Sequence, residues 1–382
     1  PSHTILPSYA ALISLLHVRK DAGFITGQTL TVLKNVVTKF ACASGKQKAA
    51  KPGNKHVHRR DDALPKLAEG LIPTLLLKSD DRNAMFAKIL FPIDFSAYAN
   101  TVFACLSDLK KIGLHTVVLL HVVPESSIPL PETVRQQDLE RMEWSAREQL
   151  NIAQMALQGQ GLRVVSVIRH GSPANEIVKV ADEQGVNLIV MGAQGKTLSE
   201  ELLYGSVTHQ VVRQAFVPVL IQKARVIREM GRIECQPMCE DLFARVLHPT
   251  DFSDCAKAAF QLIKRLKNAG TKEVILLHVQ DERVMQHRST EQIADFDRED
   301  TERLEKLYRA LRIFGFEARF LLRHGHPVRE TLNVASTEAP LLIVLGSSGR
   351  SLMREVVSGS TFENILRLSP YPVLTTNCSG RS

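Results

Sequence analysis

The sequence predicts an α/β protein with two tandem domains, each a doubly wound five-stranded parallel sheet, preceded by a basic N-terminal segment of unassigned fold. An internal repeat covers most of the chain, and each copy alternates apolar strands with helices. The 382 residues also suffice for two or three domains of roughly 100–200 residues. We place the domains at residues 84–226 and 241–379, after a segment at 1–83.

The repeat consists of six short motifs that recur in one order. FPIDFS at Phe91–Ser96 returns as HPTDFS at His248–Ser253, and LLHV at Leu119–Val122 returns at Leu276–Val279. Both pairs lie 157 residues apart, and the motifs RHGSP, LIVMGAQGKT, YGSVT and PVLIQ return in related form 154 residues on. This period exceeds the roughly 20–50 residues of a solenoid unit, so each copy is a whole domain.

Each copy predicts five strands with helices between them. In the first copy the predicted strands are KILFPID, HTVVLLHVV, RVVSVIRHG, NLIVMG and PVLIQK. Continuous apolar strands are typical of sheets that helices cover on both faces. Ser96 is a predicted N-cap of the first helix and Gly113 its stop, and Ala224–Glu240 connects the two copies.

Glycines follow the fourth predicted strand of each copy at a repeated spacing. The pattern is Gly-x2-Gly-x9-Gly-Ser, at Gly192, Gly195, Gly205 and Ser206 and again at Gly346, Gly349, Gly359 and Ser360. Ligands of open α/β sheets bind beyond the carboxyl ends of the strands. Glycines let amide N–H groups approach an anion, and a helix N-terminus favours phosphate. The sequence therefore predicts two triphosphate sites, where Asp94 and Asp251 could accept from the nucleotide or hold a metal through water.

Two familiar nucleotide-binding patterns are excluded. Gly192–Thr197 reads GAQGKT, with two residues between its glycine and Gly-Lys, whereas a P-loop has four. The chain also contains no GxGxxG. Motif evidence thus excludes a Walker ATPase and a classical dinucleotide-binding protein.

The sequence resembles the universal stress protein family in its tandem form. The motifs that carry the resemblance are PIDFS and PTDFS, both LLHV strands, RHGSP, RHGHP and both glycine patterns. The stretch GKTLSEELLYGSVTHQVV resembles the ATP-binding branch of the family. The resemblance covers about 84–379. It implies five-stranded sheets, bound ATP with a divalent ion such as Mg²⁺ or Mn²⁺, and domains that pair through their last strands. In this chain those strands are Pro218–Gln222 and Pro372–Thr376, so we expect an internal pseudo-dimer, and two chains could still associate.

The resemblance also assigns residues by position. The phosphate contacts in the first copy would be Gly192, Gly195, Gly205, Ser206 and Val207, and in the second Gly346, Gly349, Gly359, Ser360 and Thr361. The adenosine contacts would be Pro92, Asp94 and Val122, and likewise Pro249, Asp251 and Val279. His248 stands where an apolar residue usually precedes the proline, so we expect a different rim in the second site.

No catalytic constellation is visible in the sequence. The patterns place His121 and His278 late in buried strands, as structural histidines, and His170 and His324 at the ends of the third strands. Lys196 and Arg350 each follow the second glycine and could add charge near the phosphates or be solvated. Without a positioned base we expect slow hydrolysis or none, so a regulatory ATP-binding protein is preferred. An ATP-using enzyme, either a hydrolase or an adenylate-transferring enzyme, is the alternative.

The net charge of +8 lies mostly in the N-terminal segment, where 13 Lys and Arg stand against 6 Asp and Glu in residues 1–83. Its densest part, 45–60, could attract nucleic acid or another anionic partner, which would make the chain an interaction scaffold. A solvated linker is the favoured interpretation of this stretch.

The cysteines and the hydropathy favour a cytoplasmic protein. Six cysteines are spread thinly without CxxC or zinc spacing, which predicts reduced thiols. Cys235 and Cys239 would share a face only if their stretch were helical. No apolar run reaches the roughly 18–20 residues that span a bilayer, so no membrane partner is expected.

Overall fold

The computed structural model describes residues 85–124, 132–193, 205–229, 232–237, 241–347 and 359–378. The strands of the first copy are β1 (Lys88–Pro92), β2 (Thr116–Val123), β3 (Arg163–His170), β4 (Leu188–Gly192) and β5 (Val219–Gln222); its helices are α1 (Ala97–Ala104), α2 (Glu132–Gly159), α3 (Pro173–Glu183) and α4 (Ser206–Gln214). Strands β6 (Ala224–Glu229) and β7 (Arg232–Pro237) follow.

The second copy repeats this order. Its strands are β8 (Arg245–Pro249), β9 (Glu273–Asp281), β10 (Glu317–Gly325), β11 (Leu342–Ser347) and β12 (Val373–Asn377); its helices are α5 (Asp254–Leu266), α6 (Glu282–Met285), α7 (Thr290–Ile313), α8 (Pro327–Glu338) and α9 (Gly359–Leu368). Within these described ranges, no helix has both the length and the apolar character needed to cross a bilayer.

The two copies share one ten-stranded sheet, in the order β10-β9-β8-β11-β12-β5-β4-β1-β2-β3. Within each copy the five strands are parallel, which confirms the predicted doubly wound fold. At the centre β12 pairs with β5 in antiparallel fashion, with Leu374 opposite Leu220. The predicted meeting of the last strands is therefore present, and it joins two sheets into one.

The inner strands of the sheet are apolar because helices cover both of their faces. Ile89, Leu90 and Phe91 of β1 are fully buried, and so are Val274 and Ile275 of β9. A core of this kind gains roughly 25 cal/mol for each Å² of apolar surface removed from water. The core positions the carboxyl ends of β1, β2 and β4 side by side, and those of β8, β9 and β11 likewise.

Two local predictions differ from the structure. The connection predicted at Ala224–Glu240 contains an antiparallel hairpin, in which β6 pairs with β7. Cys235 therefore lies in a strand, and Cys239 lies outside the described residues. The first predicted helix ends early at Ala104, and a separate 3₁₀ turn at Asp108–Ile112 is closed by Gly113 with φ of 92°.

The prediction of reduced thiols is wrong for at least three cysteines, because Cys105, Cys255 and Cys378 are all disulfide-bonded. Cys255, in the first turn of α5, is disulfide-bonded to Cys378, which follows β12. The two residues are 123 positions apart, so no spacing rule could pair them. The cysteine pattern consequently no longer supports a cytoplasmic location, which remains a prediction.

Candidate functional site

The candidate site of each copy lies at the carboxyl ends of three adjacent strands. In the first copy β1 lies between β4 and β2, so the residues that follow Pro92 are flanked by Gly192 on one side and Val122 on the other. The second copy has the same order, with β8 between β11 and β9. Parallel strands that end together leave a crevice where open α/β sheets bind ligands.

The loop after the first strand of each copy is fixed by its own side chains. Asp94 Oδ1 accepts a hydrogen bond from the Ser96 N–H at 3.0 Å. Ser96 Oγ then accepts from the Ala99 N–H at 3.1 Å, so the predicted N-cap of α1 is confirmed. In the second copy Asp251 accepts from the Ser253 N–H at 3.0 Å, and Ser253 caps α5. Each aspartate thus holds its loop in shape through one carboxylate oxygen.

The repeated Phe and His residues hold the same loop from beneath. Phe95 has a left-handed φ of 58°, and its ring stacks on His121 with centroids 4.8 Å apart. The Nδ1 of His121 lies 2.7 Å from the carbonyl oxygen of Ile93. In the second copy Phe252 has φ of 61° and a centroid distance of 4.6 Å to His278. Left-handed non-glycine residues cost free energy and are concentrated at functional sites. The predicted structural role of both histidines is confirmed.

In the first copy the fold brings the ends of the glycine motif together. The Gly205 N–H donates to the Ala193 carbonyl at 3.0 Å, and Thr208 Oγ1 donates to the Gly192 carbonyl at 3.2 Å. Gly205 is the N-cap residue of α4, which begins at Ser206. The first N–H groups of a helix have no intrahelical acceptor and form an anion site. Residues 194–204, which include Gly195 and Lys196, lie outside the described residues.

Two glycines at different positions of the motif, Gly205 and Gly346, have different structural reasons to be glycine. Gly205 has φ of −65°, and an added Cβ would lie 3.7 Å from its nearest neighbours, so the fold itself tolerates a side chain there. A Cβ on Gly346 would lie 2.1 Å from the carbonyl oxygen of Cys255. Gly346 is therefore required by the close approach of α5, whatever binds nearby. The glycine at 205 calls for another explanation, such as a ligand.

The second copy has a buried polar cluster beside its site. His278 Nε2 lies 3.2 Å from Asp300 Oδ2, and Gln280 Nε2 donates to the same oxygen at 2.9 Å. Arg303 contacts the other oxygen of Asp300 at 3.3 Å. The first copy has apolar residues at the matched positions. Ala146 corresponds to Asp300 at an offset of 154 residues, and Val123 corresponds to Gln280 at an offset of 157 residues. The sequence comparison did not reveal this cluster, because its members lie on β9 and α7.

The prediction that His248 alters the rim of the second site is wrong. His248 is fully buried, and its Nδ1 donates to the Val344 carbonyl at 2.9 Å. Its Nε2 has no partner among the described residues. Burial lowers the pKa of His248, because an imidazolium there would lose its hydration. The side chain replaces the core residue Phe91 of the first copy, which is also fully buried.

We expect His248→Phe to remove part of the acid sensitivity of the fold. Because the pKa of His248 is lower in the folded chain, the unfolded chain binds the proton more readily below about pH 6.5. Protonation therefore favours unfolding, and the free energy of unfolding falls as the pH drops below that value. The loss is at most about 1.4 kcal/mol for each pH unit. Urea unfolding at pH 7.5 and 5.0 measures it, with His287→Phe as the control at an exposed position. Identical pH profiles for His248→Phe and the unaltered chain would contradict this account.

Two other predicted residues lie away from the glycine edge. His170 is the last residue of β3, and His324 is the last residue but one of β10. These two strands form the outer edges of the ten-stranded sheet. His170 pairs with Glu143 of α2 at 3.4 Å, and His324 pairs with Asp297 of α7 at 2.8 Å. These histidines bind their own long helices. Gly349 and Arg350 lie outside the described residues.

The remaining predicted residues lie at the expected edge. Val207 follows Ser206 in the first turn of α4, and Gly359, Ser360 and Thr361 open α9. Pro249 ends β8, and Val279 lies in β9 two residues before its end. Among the described residues, no group of three His, Cys, Asp or Glu side chains is placed to hold a metal ion.

Comparison with known proteins is consistent with a duplicated domain. The sequence pattern of the universal stress protein family matches residues 85–223 and 243–377. A universal stress protein of Methanocaldococcus jannaschii is 32% identical over 159 residues, covering 37% of this chain and 98% of that protein. One of Methanothermobacter thermautotrophicus is 34% identical over 148 residues, covering 37% and 98%. Each of these relatives has the length of one copy.

A solved structure extends the likeness to both copies. The crystal structure of a universal stress protein from Archaeoglobus fulgidus superposes with a TM-score of 0.58 and 24% sequence identity. It covers 77% of this chain and 98% of its own. This likeness supports the arrangement of the fold.

Proposed function

Because this chain belongs to the universal stress protein family, we propose that it binds two molecules of ATP, one at the carboxyl edge of each copy, for a regulatory role in the stress response. The observation that carries the proposal is the head of α4. There Gly205 is bonded to the end of β4 through Ala193, although the packing leaves room for a side chain.

The proposed binding uses main-chain amides for the phosphates. The orphan N–H groups at Ser206 and Val207 would face the phosphates, and the positive end of the α4 dipole would favour their charge. Gly359, Ser360 and Thr361 would serve the second site in the same way. Because packing already requires a glycine at 346, the proposed phosphate site of the second copy rests on Gly359, Ser360 and Thr361.

The adenosine would lie over the ends of the first and second strands. Pro92, Asp94 and Val122 would contact it in the first copy, and Pro249, Asp251 and Val279 in the second. Asp94 uses Oδ1 for the Ser96 N–H, and a carboxylate has further lone pairs for a ribose hydroxyl. Mg²⁺ or Mn²⁺ would be carried with the phosphates and would neutralise part of their charge.

The proposed role is binding rather than turnover. His121 and His278 are bonded to carbonyl groups beneath the loops, and His170 and His324 are bonded to α2 and α7. None of these four histidines is placed as a base beside the helix heads. Occupancy of the sites would instead bias the glycine segments and the surface next to them.

We expect Gly205→Val to remove ATP from the first site while the fold survives. The added side chain would occupy the path of the phosphates to the α4 amides and raise the Kd there at least tenfold, about 1.4 kcal/mol. The loss of folding stability should stay near 1 kcal/mol, the range of N-cap changes. Calorimetric titration with Mg–ATP should therefore give one site in place of two.

The matched control is Gly159→Val, at the end of α2, where nothing lies within 4 Å of an added Cβ. This variant should retain both sites. The proposal fails at the first site if Gly205→Val binds ATP as tightly as the control.

A further inference from the structure

Hydrogen bonds between the two copies involve α4 and α9, the helices whose N-termini lie at the candidate sites. Lys223 follows β5 of the first copy, and its Nζ donates to the Leu366 carbonyl in the last turn of α9, at 2.8 Å. Asn377 ends β12 of the second copy, and its side-chain amide donates to the Ala215 carbonyl at the end of α4, at 3.4 Å. Positions 223 and 377 lie 154 residues apart, so the two donors occupy equivalent positions of the internal repeat, although their acceptors, Leu366 and Ala215, do not.

These bonds are made to helix ends that need partners. The last four carbonyls of a helix have no intrahelical donor, and cations stabilise the negative end of its dipole. Lys223 is only 5% exposed, and burial lowers its pKa to about 8. At neutral pH its ammonium is charged and its bond to α9 is charge-assisted, so the helix end is held firmly.

A third contact joins the helices one turn after their heads. His209 Nε2 lies 2.9 Å from Glu363 Oε1, and Arg213 Nη1 lies 3.5 Å from the same oxygen. His209 and Glu363 are also 154 residues apart, so equivalent positions of the two copies meet at the axis that relates them. A cleft of about 400 Å³ lies between the helices, lined by these two residues and by Ser206, Gln210, Asn364 and Arg367. Since the helices leave this space open, polar bonds carry much of their contact.

We propose that the two nucleotide sites are coupled through these cross-copy bonds, so that occupancy of one site tightens binding at the other. The proposal rests on the proposed function. Phosphate at the head of α9 would fix that helix. Glu363 would then fix α4 through His209 and Arg213, and Leu366 would fix the end of β5 through Lys223. The second ligand would meet a helix that is already ordered, which gives positive cooperativity.

The test compares the affinity of the first site for ATP in the unaltered chain and in variants whose second site is blocked by a substitution. Val279→Trp places a bulky side chain at the expected adenosine end of the second site, on β9 rather than on α4 or α9. Asp251→Ala removes a single proposed adenosine contact of the same site. In calorimetric titrations with Mg–ATP, either variant should raise the Kd of the first site. We expect at least a fivefold rise for the closed site, the low end of measured couplings.

The cross-copy bonds are then removed. The triple variant Lys223→Met, Glu363→Gln and Asn377→Ala should reduce this effect to less than twofold, and Glu363→Gln alone should give an intermediate value if the triple variant folds poorly. Asp138→Asn is the control, because it breaks an exposed ion pair with Arg141 on α2 and should leave the effect unchanged.

The outcomes separate the two proposals. Two sites that bind ATP with a Kd independent of each other would overturn the coupling and leave the proposed function in place. Coupling that persists at full size in the triple variant would overturn the role of these bonds. Absence of ATP binding in every form would overturn the proposed function and the coupling with it.

Discussion

Replacing Gly346 with alanine should lower the free energy of unfolding by about 3 kcal/mol or more, the upper part of the range for overpacked sites. The added Cβ would lie 2.1 Å from the Cys255 carbonyl oxygen and 2.3 Å from its carbonyl carbon. Backbone atoms cannot rotate away, and the disulfide to Cys378 fixes Cys255 to the end of β12. Urea unfolding of the oxidised chain measures the loss.

The control for this prediction is Gly205→Ala, where the nearest atoms are 3.7 Å from an added Cβ. It should change stability by less than about 1 kcal/mol. Equal losses for the two variants would contradict the separate roles assigned to these glycines.

The second large effect is expected for Asp300→Ala, which should destabilise the fold by about 3 kcal/mol. Asp300 is 8% exposed, and its carboxylate binds His278, Gln280 and Arg303. Its removal leaves Gln280 buried without its partner, and the Oε1 of Gln280 already lacks one among the described residues. Breaking a buried charged network costs several kcal/mol, because the groups left behind are desolvated and unpaired.

The first copy supplies the matched rescue for this variant. It has Ala146 and Val123 at the equivalent positions, both with apolar side chains. The double variant Asp300→Ala and Gln280→Val should therefore recover most of the stability, to within about 1.5 kcal/mol of the unaltered chain. A double variant that is less stable than Asp300→Ala alone would contradict the assignment.

The fold was predictable because the sequence patterns of its strands and helices are local and occur in both copies. The inner strands of each sheet, such as β1 and β4, contain continuous apolar runs, and the repeated motifs gave both copies the same order of elements. The hairpin of β6 and β7 was missed because it lies outside the repeat, where no second copy could reveal it. The disulfide between Cys255 and Cys378 depends on the tertiary fold, which brings together residues 123 positions apart.

The site was predictable at the level of motifs and less so at the level of roles. The repeated DFS and LLHV motifs indicated importance, but only the structure shows that Phe95 stacks on His121 beneath the loop. His248 was expected at a rim because it precedes Pro249, yet strand alternation turns it into the core. The buried cluster at Asp300 depends on contacts between β9 and α7, which sequence spacing does not encode.

The central claim is that a helix headed by glycine and serine in each copy binds the phosphates of one ATP. The most direct measurement is a calorimetric titration of the unaltered chain with Mg–ATP, after small molecules retained from purification have been removed and identified by mass spectrometry. The account predicts two molecules of ATP for each chain. A chain that is free of nucleotide as purified and gives no heat of binding would contradict it.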